Sequence, residues 1–305
     1  MRKNLILWAA LLAVAILAVL PFGVSGYVLG LLTLAFYYAV AAMAWDLLFG
    51  FAGEVNFGPS FLMGLGAYAA ALLNHYSGWP IPACLAAGGL AAIVGGVILA
   101  IPALRLSGPY FGLITLVAVL LLQNAIVLFA GITGGEIGLD VPDILSIDSD
   151  VNYWYGLGFM TISGALLFGL SRSTVGLILQ ASGQDAIEAA ALGFNVAKHK
   201  LAAFCVSALF TGLAGAMLIF YMGTASVGTT VDIGLGVQII IAAVLGGRRT
   251  ILGAALGSIF LIGAGEVLRP LGQLSTFVVS GVALLAILFF PGGFLGRALA
   301  TEPRP

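Results

Sequence analysis

Long apolar runs recur along the whole chain, separated by short polar breaks, and most reach the roughly 17–25 residues a helix needs to cross a bilayer. This pattern predicts spans near 5–22, 28–50, 58–74, 81–102, 109–131, 153–170, 201–222, 233–247, 250–268 and 274–291. The runs at 58–74 and 233–247 are short and punctuated by glycine. They read as tilted, broken or re-entrant segments, which are tolerated only where protein or a cavity shields the backbone. The expected fold is therefore all-α, a single polytopic transmembrane domain over 1–305 with about ten helices and both termini on one side.

Two loops break the apolar pattern. Between the sixth and seventh spans, the loop 171–200 holds a polar island, Gly183-Gln184-Asp185-Ala186-Ile187-Glu188-Ala189-Ala190-Ala191-Leu192-Gly193. Its alanines and its early acids predict a helix over Gln184–Leu192, ended by Gly193. The other loop, 132–152, carries Glu136, Asp140, Asp143, Asp148 and Asp150 with no lysine or arginine.

Basic residues in short loops set orientation. Arg2, Lys3, Arg105, Arg172, Lys198, Lys200, Arg248, Arg249, Arg297 and Arg304 fall on one side of the ten-span scheme, and Arg269 falls opposite. Both termini and 171–200 are thus expected in the cytoplasm, and 132–152 outside. Met1–Leu20 also has the basic start and apolar run of a signal peptide, with Val24-Ser25-Gly26 as a cleavage-like site. A retained first helix is expected, because another long apolar segment follows at once.

Composition sharpens the class. With 62% hydrophobic and 8% charged residues, the chain is excluded from ordinary soluble domains, and its net charge of −1 gives no reason to expect nucleic acid. The 43 glycines suit close helix packing, Gly253-x-x-x-Gly257 being one small-residue face. Cys84 and Cys205 stand singly in apolar runs and read as core residues. Gly50-Phe51-Ala52-Gly53 and Gly246-Gly247 each precede a glycine-spaced span, an echo that leaves an internal repeat open.

Candidate chemistry is sparse. No G-x-x-x-x-G-K-[ST] occurs and no glycine precedes a lysine, so ATP would have to be bound by a separate subunit; no cofactor and no metal are expected in this chain. No nucleophile has a base nearby, so no catalytic residue is expected. His75 and His199 lack metal-ligand spacing, and Asp148-x-Asp150 lacks the rest of a calcium loop. Polar groups at membrane depth are costly and usually functional. That makes Asp46, Glu54, Asn56 and Asn124 the candidates for a translocation path, although the span limits also allow Asp46 and Glu54 at an interface. Glu266 and Arg269, three apart, are spaced for a local ion pair.

Several stretches resemble the LivM-type branched-chain amino acid permeases of ABC importers. Gly50-Phe-Ala-Gly-Glu-Val-Asn-Phe-Gly58 followed by Gly64-Leu-Gly-Ala-Tyr68 is similar to their G-[YF]-A-G-Q-[LV]-[SN]-x-G…G-x-G-A-Y stretch. Leu104-Arg-Leu-Ser-Gly-Pro-Tyr-Phe111 resembles L-R-L-x-G-x-Y-F, and Thr133-Gly-Gly-Glu-Ile-Gly-Leu139 resembles an external T-G-G-x-x-G-[LI] loop. Ala190-Ala-Leu-Gly-Phe-Asn195, Lys200-Leu-Ala-Ala-Phe204 and Gly212-Leu-Ala-Gly-Ala216 match the docking loop and following span. The resemblance covers about 30–296, departing at Glu54, Pro59, Glu136-Ile137 and Arg248-Arg249.

The resemblance implies a permease of the inner membrane working with two ATPase subunits, a second homologous permease (LivH-like) or a second copy of itself, and an extracytoplasmic solute-binding protein. It implies ATPase docking at Gly183, Asp185, Glu188, Ala189, Ala190 and Gly193, and contact with the binding protein at Thr133, Gly134, Gly135 and Gly138. Urea or short-amide permeases of the same superfamily remain an alternative. So does a secondary transporter or channel, for which burial of Asp46 and Glu54 at the midplane would argue. A purely structural membrane subunit would not need the docking island.

Overall fold

The computed structural model describes residues 12–103 and 109–272, together with positions 274, 278, 281 and 293. The predicted span 274–291, the first residues of the run 5–22 (5–11), and Arg2, Lys3, Arg105, Arg297 and Arg304 lie wholly or largely outside the described residues.

The described chain is all-α apart from one small ribbon. Helix α1 covers Leu12–Phe22. Next, α2 (Gly26–Asp46) runs on into a π-helical turn, Leu47–Phe51. Helix α3 (Pro59–Ser77) starts on proline, whose fixed φ suits a first helical position, and ends on left-handed Gly78. Then come α4 (Ile81–Ala103), α5 (Pro109–Leu128) and the single turn α6 (Ala130–Thr133). Helices α7 (Ser149–Arg172), α8 (Thr174–Gln184), α9 (Ala186–Ala191) and α10 (Val196–Met222) follow. The last are the turn α11 (Val227–Thr230), α12 (Ile233–Gly246) and α13 (Leu252–Val267). Strands β1 (Leu139–Asp140) and β2 (Thr224–Ala225) pair antiparallel, Leu139 opposite Ala225.

Among the described residues six helices are long and apolar enough to cross a membrane, and α1 and α13 are shorter apolar helices. The expected span 58–74 is an unbroken helix of 19 residues that is not one of the six, whereas 233–247 falls in one of them, the 20-residue stretch Val227–Gly246 made of the turn α11 and the 14-residue α12. Two helices start earlier than their apolar runs. Asp148 caps α7 by accepting from Asp150 N at 2.9 Å, and Asn195 caps α10 by accepting from Lys198 N at 3.0 Å. The predicted starts at 153 and 201 therefore become Ser149 and Val196, because capped polar first turns precede the hydrophobic ones.

The helices alternate between two ends of the bundle. At one, the ribbon end, lie α6, β1, β2 and α11; at the other, the α9 end, lie α8, α9, the close of α2 and the α12–α13 turn. Central α2 is flanked by α7, α10, α12 and α13, and its stretch Ala39–Asp46 is buried throughout. Beside it, α3, α4 and α10 meet almost backbone to backbone. A Cβ on Gly66 would lie 2.1 Å from the Gly212 carbonyl oxygen, and one on Gly215 the same 2.1 Å from that of Met63. Gly253 and Gly257 likewise pack on the α12 backbone at Gly246 and Ala242, as their spacing suggests.

Candidate functional site

The polar island is two helices rather than one. Helix α8 stops at Gln184, the chain extends at Asp185 (φ −144°, ψ 108°), and the Asp185 carboxylate then caps α9 by accepting from Ile187 N (2.8 Å) and Glu188 N (3.0 Å). The expected helix 184–192 is thus corrected to Ala186–Ala191, because an Asp cap needs extended backbone that a continuous helix cannot give. At the other end Gly193 takes φ +89°, and the N–H groups of Gly193 and Phe194 return to the carbonyls of Ala190 and Ala189.

The residues expected in docking divide into two faces. Asp185, Glu188, Ala190 and Gly193 are exposed; Ala189 is buried. Gly183 points inward, where a Cβ would lie 2.4 Å from the Phe51 carbonyl oxygen, so this glycine seats α8 on the stretch 51–53. Two apolar residues not anticipated from the sequence stand out of the island: Ile187 is 83% exposed and Leu192 75%. Both flank the exposed face of α9, Ile187 within the helix and Leu192 at its C-cap.

At the same end, Asp46 is fully enclosed and its carboxylate gathers the α12–α13 turn. Oδ1 accepts from Arg249 N at 3.0 Å, while Oδ2 accepts from Thr250 N at 3.1 Å and Ile251 N at 2.9 Å. These bonds hold Arg249 (φ 65°) and Ile251 (φ 46°) in left-handed backbone that such residues rarely adopt. Arg249 Nε donates to the Gly50 carbonyl at 2.8 Å, and the Arg248 guanidinium sits 4.7 Å over the Phe49 ring. Burial and the neighbouring Arg248 lower the pKa of Arg249, against the opposing pull of Asp46.

Glu54 pairs with Lys200 at 2.6 Å, tying the loop after α2 to the second turn of α10. Buried Asn56 turns that loop inward: its Oδ1 accepts from Gly58 N at 2.8 Å, and its carbonyl accepts from Trp45 Nε1 at 2.6 Å. Asn124 lies elsewhere, on the exposed side of α5, donating to the Leu120 carbonyl at 2.7 Å. Of the four path candidates, Asp46, Glu54 and Asn56 therefore gather around the close of α2, and Asn124 does not join them.

At the ribbon end, Thr133 Oγ1 donates to the Ile126 carbonyl at 2.6 Å and accepts from Gly135 N at 3.3 Å. Gly134 (φ +77°), Gly135 (φ +57°) and Gly138 (φ +97°) fold the chain back so tightly that a Cβ on Gly134 would lie 2.1 Å from the Gly138 carbonyl oxygen. That turn presents Glu136 and Ile137 at its tip, the latter 96% exposed. Arg269 pairs with Glu266 at 3.3 Å, and both contact Tyr27. Among the described residues no group of His, Cys, Asp and Glu could hold a metal ion.

Residues 27–290 match the family described as "Branched-chain amino acid transport system / permease component". The High-affinity branched-chain amino acid transport system permease protein LivM of Escherichia coli (strain K12) is 29% identical, the match covering 93% of this chain and 74% of the relative. BraD of Pseudomonas aeruginosa, named likewise, is 27% identical over 87% of this chain and 94% of its own length. LivH of Escherichia coli (strain K12) is 26% identical over 87% and 93%. No solved structure matches the chain. The expected membrane helices, the ordered motifs and a match over nearly the whole length agree, and the chain belongs to the family of branched-chain amino acid transport system permease components.

Proposed function

We propose that this protein is the membrane-spanning half of an ABC import machine for branched-chain amino acids in the inner membrane, with ATP bound and hydrolysed by separate subunits. The observation that carries the reading is α9, a capped helix whose Ile187 and Leu192 project from the end of the bundle that also holds Arg172, Lys198, Lys200, Arg248 and Arg249. Cation-rich loops remain on the cytoplasmic side of a membrane, which puts α9 where an ATPase works and the acidic ribbon end outside. Gly193 turns the chain back toward α10, and Glu188 offers a charge to a basic partner surface. The turn at Thr133–Gly138 keeps Gly135 buried and Thr133, Gly134 and Gly138 half-buried, and it offers Glu136 and Ile137 to the solute-binding protein; a homologous second permease completes the pair. A coupled-ion transporter is disfavoured by Asp46, whose two carboxylate oxygens are occupied by three backbone N–H groups.

Co-expression with a cognate ATPase, partner permease and solute-binding protein tests the reading. The assembled complex in proteoliposomes is expected to take up radiolabelled leucine only with ATP and binding protein together. The purified chain alone is expected to hydrolyse no ATP. Uptake by the isolated chain, or turnover of ATP without a partner, would refute the proposal.

A further inference from the structure

Helix α3 begins inside the bundle and not at its end. A Cβ on Gly58 would lie 2.5 Å from the Thr115 carbonyl oxygen, and Phe57 N donates to Thr115 Oγ1 at 2.9 Å. Thr115 is six residues into α5, roughly 9 Å at 1.5 Å per residue. Helix α12 also starts in the interior and runs antiparallel to α3: Gly236 faces Ser60 and Val231 faces Gly64. The two helix starts overlap there, but they are finished differently. Asp232 caps α12, accepting from Leu235 N at 3.3 Å, whereas α3 has no side-chain cap.

Two polar side-chain atoms stand at this uncapped start without a partner, although Asn56 Oδ1 is already bonded to Gly58 N. Ser60 Oγ and Asn56 Nδ2 have no hydrogen-bond partner, on residues 0% and 1% exposed. A buried hydrogen-bonding group left unmade is costly, and a second state of the molecule in which it finds a partner would offset that cost. Both atoms can donate, and the start of a helix carries a partial positive charge that favours an anion. We infer that the start of α3, with Asn56 Nδ2, Ser60 Oγ and the helix terminus, is an internal contact point for the carboxylate of the amino acid in transit, exposed when α3 and α12 part.

The surroundings suit such an opening. Across from Ser60 lies Gly236, so only backbone must withdraw to uncover the hydroxyl. The loop that carries Asn56 is also fastened to the other end of the bundle, where Glu54 pairs with Lys200 of α10 and Gly53 lies against Gly183 of α8. A shift of α8 and α9 therefore pulls directly on the segment that ends in Asn56 and Ser60. The closed arrangement hides the donors from the solute until that pull occurs.

The inference rests on the import reading, and one experiment separates the two. The reconstituted complex is assayed for leucine carried per ATP hydrolysed, with wild type, Ser60→Ala and Asn56→Asp. A wild-type complex that shows no ATP-driven uptake defeats the import reading itself. Given wild-type uptake, Ser60→Ala is expected to assemble normally, melt no lower than wild type, and carry about tenfold less leucine per ATP, the factor for losing one hydrogen bond to a charged partner. Asn56→Asp sets a carboxylate against a carboxylate and is expected to lose more. An unchanged ratio for Ser60→Ala, or failure of that variant to assemble, overturns the inference, since the hydroxyl would then be inert or merely structural. If Asn56→Asp does not assemble, Ser60→Ala decides alone.

Discussion

The seam between α3, α4 and α10 and the island around α9 use the same small residues to opposite ends. In the seam, glycine removes the side chain so that backbones can touch: Gly66 meets the Gly212 carbonyl, and Gly88 that of Gly66. In the island, Gly193 touches nothing within 4 Å and is needed for its φ of +89°. The seam buries the faces its glycines bring together, while the island leaves Ile187 and Leu192 exposed. One region spends its small residues on cohesion within the chain and the other on shape offered outward. Stability and partner contact should therefore separate cleanly under mutation.

The largest effect belongs to the seam. Gly66→Val would press a branched side chain into the α10 backbone, which has no rotamer to yield, unlike a side-chain neighbour. Overpacking of cores costs about 1–3 kcal/mol when side chains can shift, and here they cannot. Loss of monodisperse, detergent-extracted protein on size exclusion is the expected result. A normally folded Gly66→Val would mean that the seam is looser than its backbone distances indicate.

Asp46→Ala comes next. Three N–H groups, of Arg249, Thr250 and Ile251, lose their acceptor in a turn that already holds two non-glycine residues at positive φ. At about 1–3 kcal/mol per buried unsatisfied group, destabilisation of roughly 3 kcal/mol or more is expected, read by thermal unfolding. Asp46→Asn keeps one acceptor oxygen and should fall between Ala and wild type.

Asp46 also marks where the sequence stopped being legible. Its cost at membrane depth was evident from the apolar run around it, but its partners lie more than 200 positions away. No local period connects them. Glu54 and Lys200 were each singled out, yet a pair separated by 146 positions appears only once α3 and α10 pack. Within the described residues the apolar runs located the helices, because burial in lipid requires them. They misplaced the starts of α7 and α10 because caps, not hydrophobicity, begin those helices at Asp148 and Asn195. The Asp185 break was likewise written in a cap residue that was read as an ordinary first-turn acid.

Gly193→Ala tests the island through its backbone. An L-residue held in left-handed conformation costs roughly 1–2 kcal/mol. That cost falls on a short exposed helix, so unfolding of α9 and weaker ATPase co-purification are expected with little change in the melting of the bundle. Glu54→Gln is smaller still for stability. Its pair with Lys200 is largely but not fully shielded, with side chains 16% and 17% exposed, and a double-mutant cycle with Lys200→Met should return about 1 kcal/mol or less.

Ile187→Glu should leave the fold untouched and still cost function. The side chain is 83% exposed and supports nothing in this chain, so thermal unfolding should not move. Replacing an apolar projection by a charge removes area that a partner would bury and adds a carboxylate that the partner would have to desolvate. Reduced ATPase co-purification, with a bundle as stable as wild type, is therefore expected. The control is Ile137→Glu, at a site just as exposed but at the ribbon end. It should assemble with the ATPase normally and instead weaken stimulation by the solute-binding protein. Equal ATPase loss from both variants would mean that exposed apolar residues in this protein serve general cohesion, and the division between seam and island would fail.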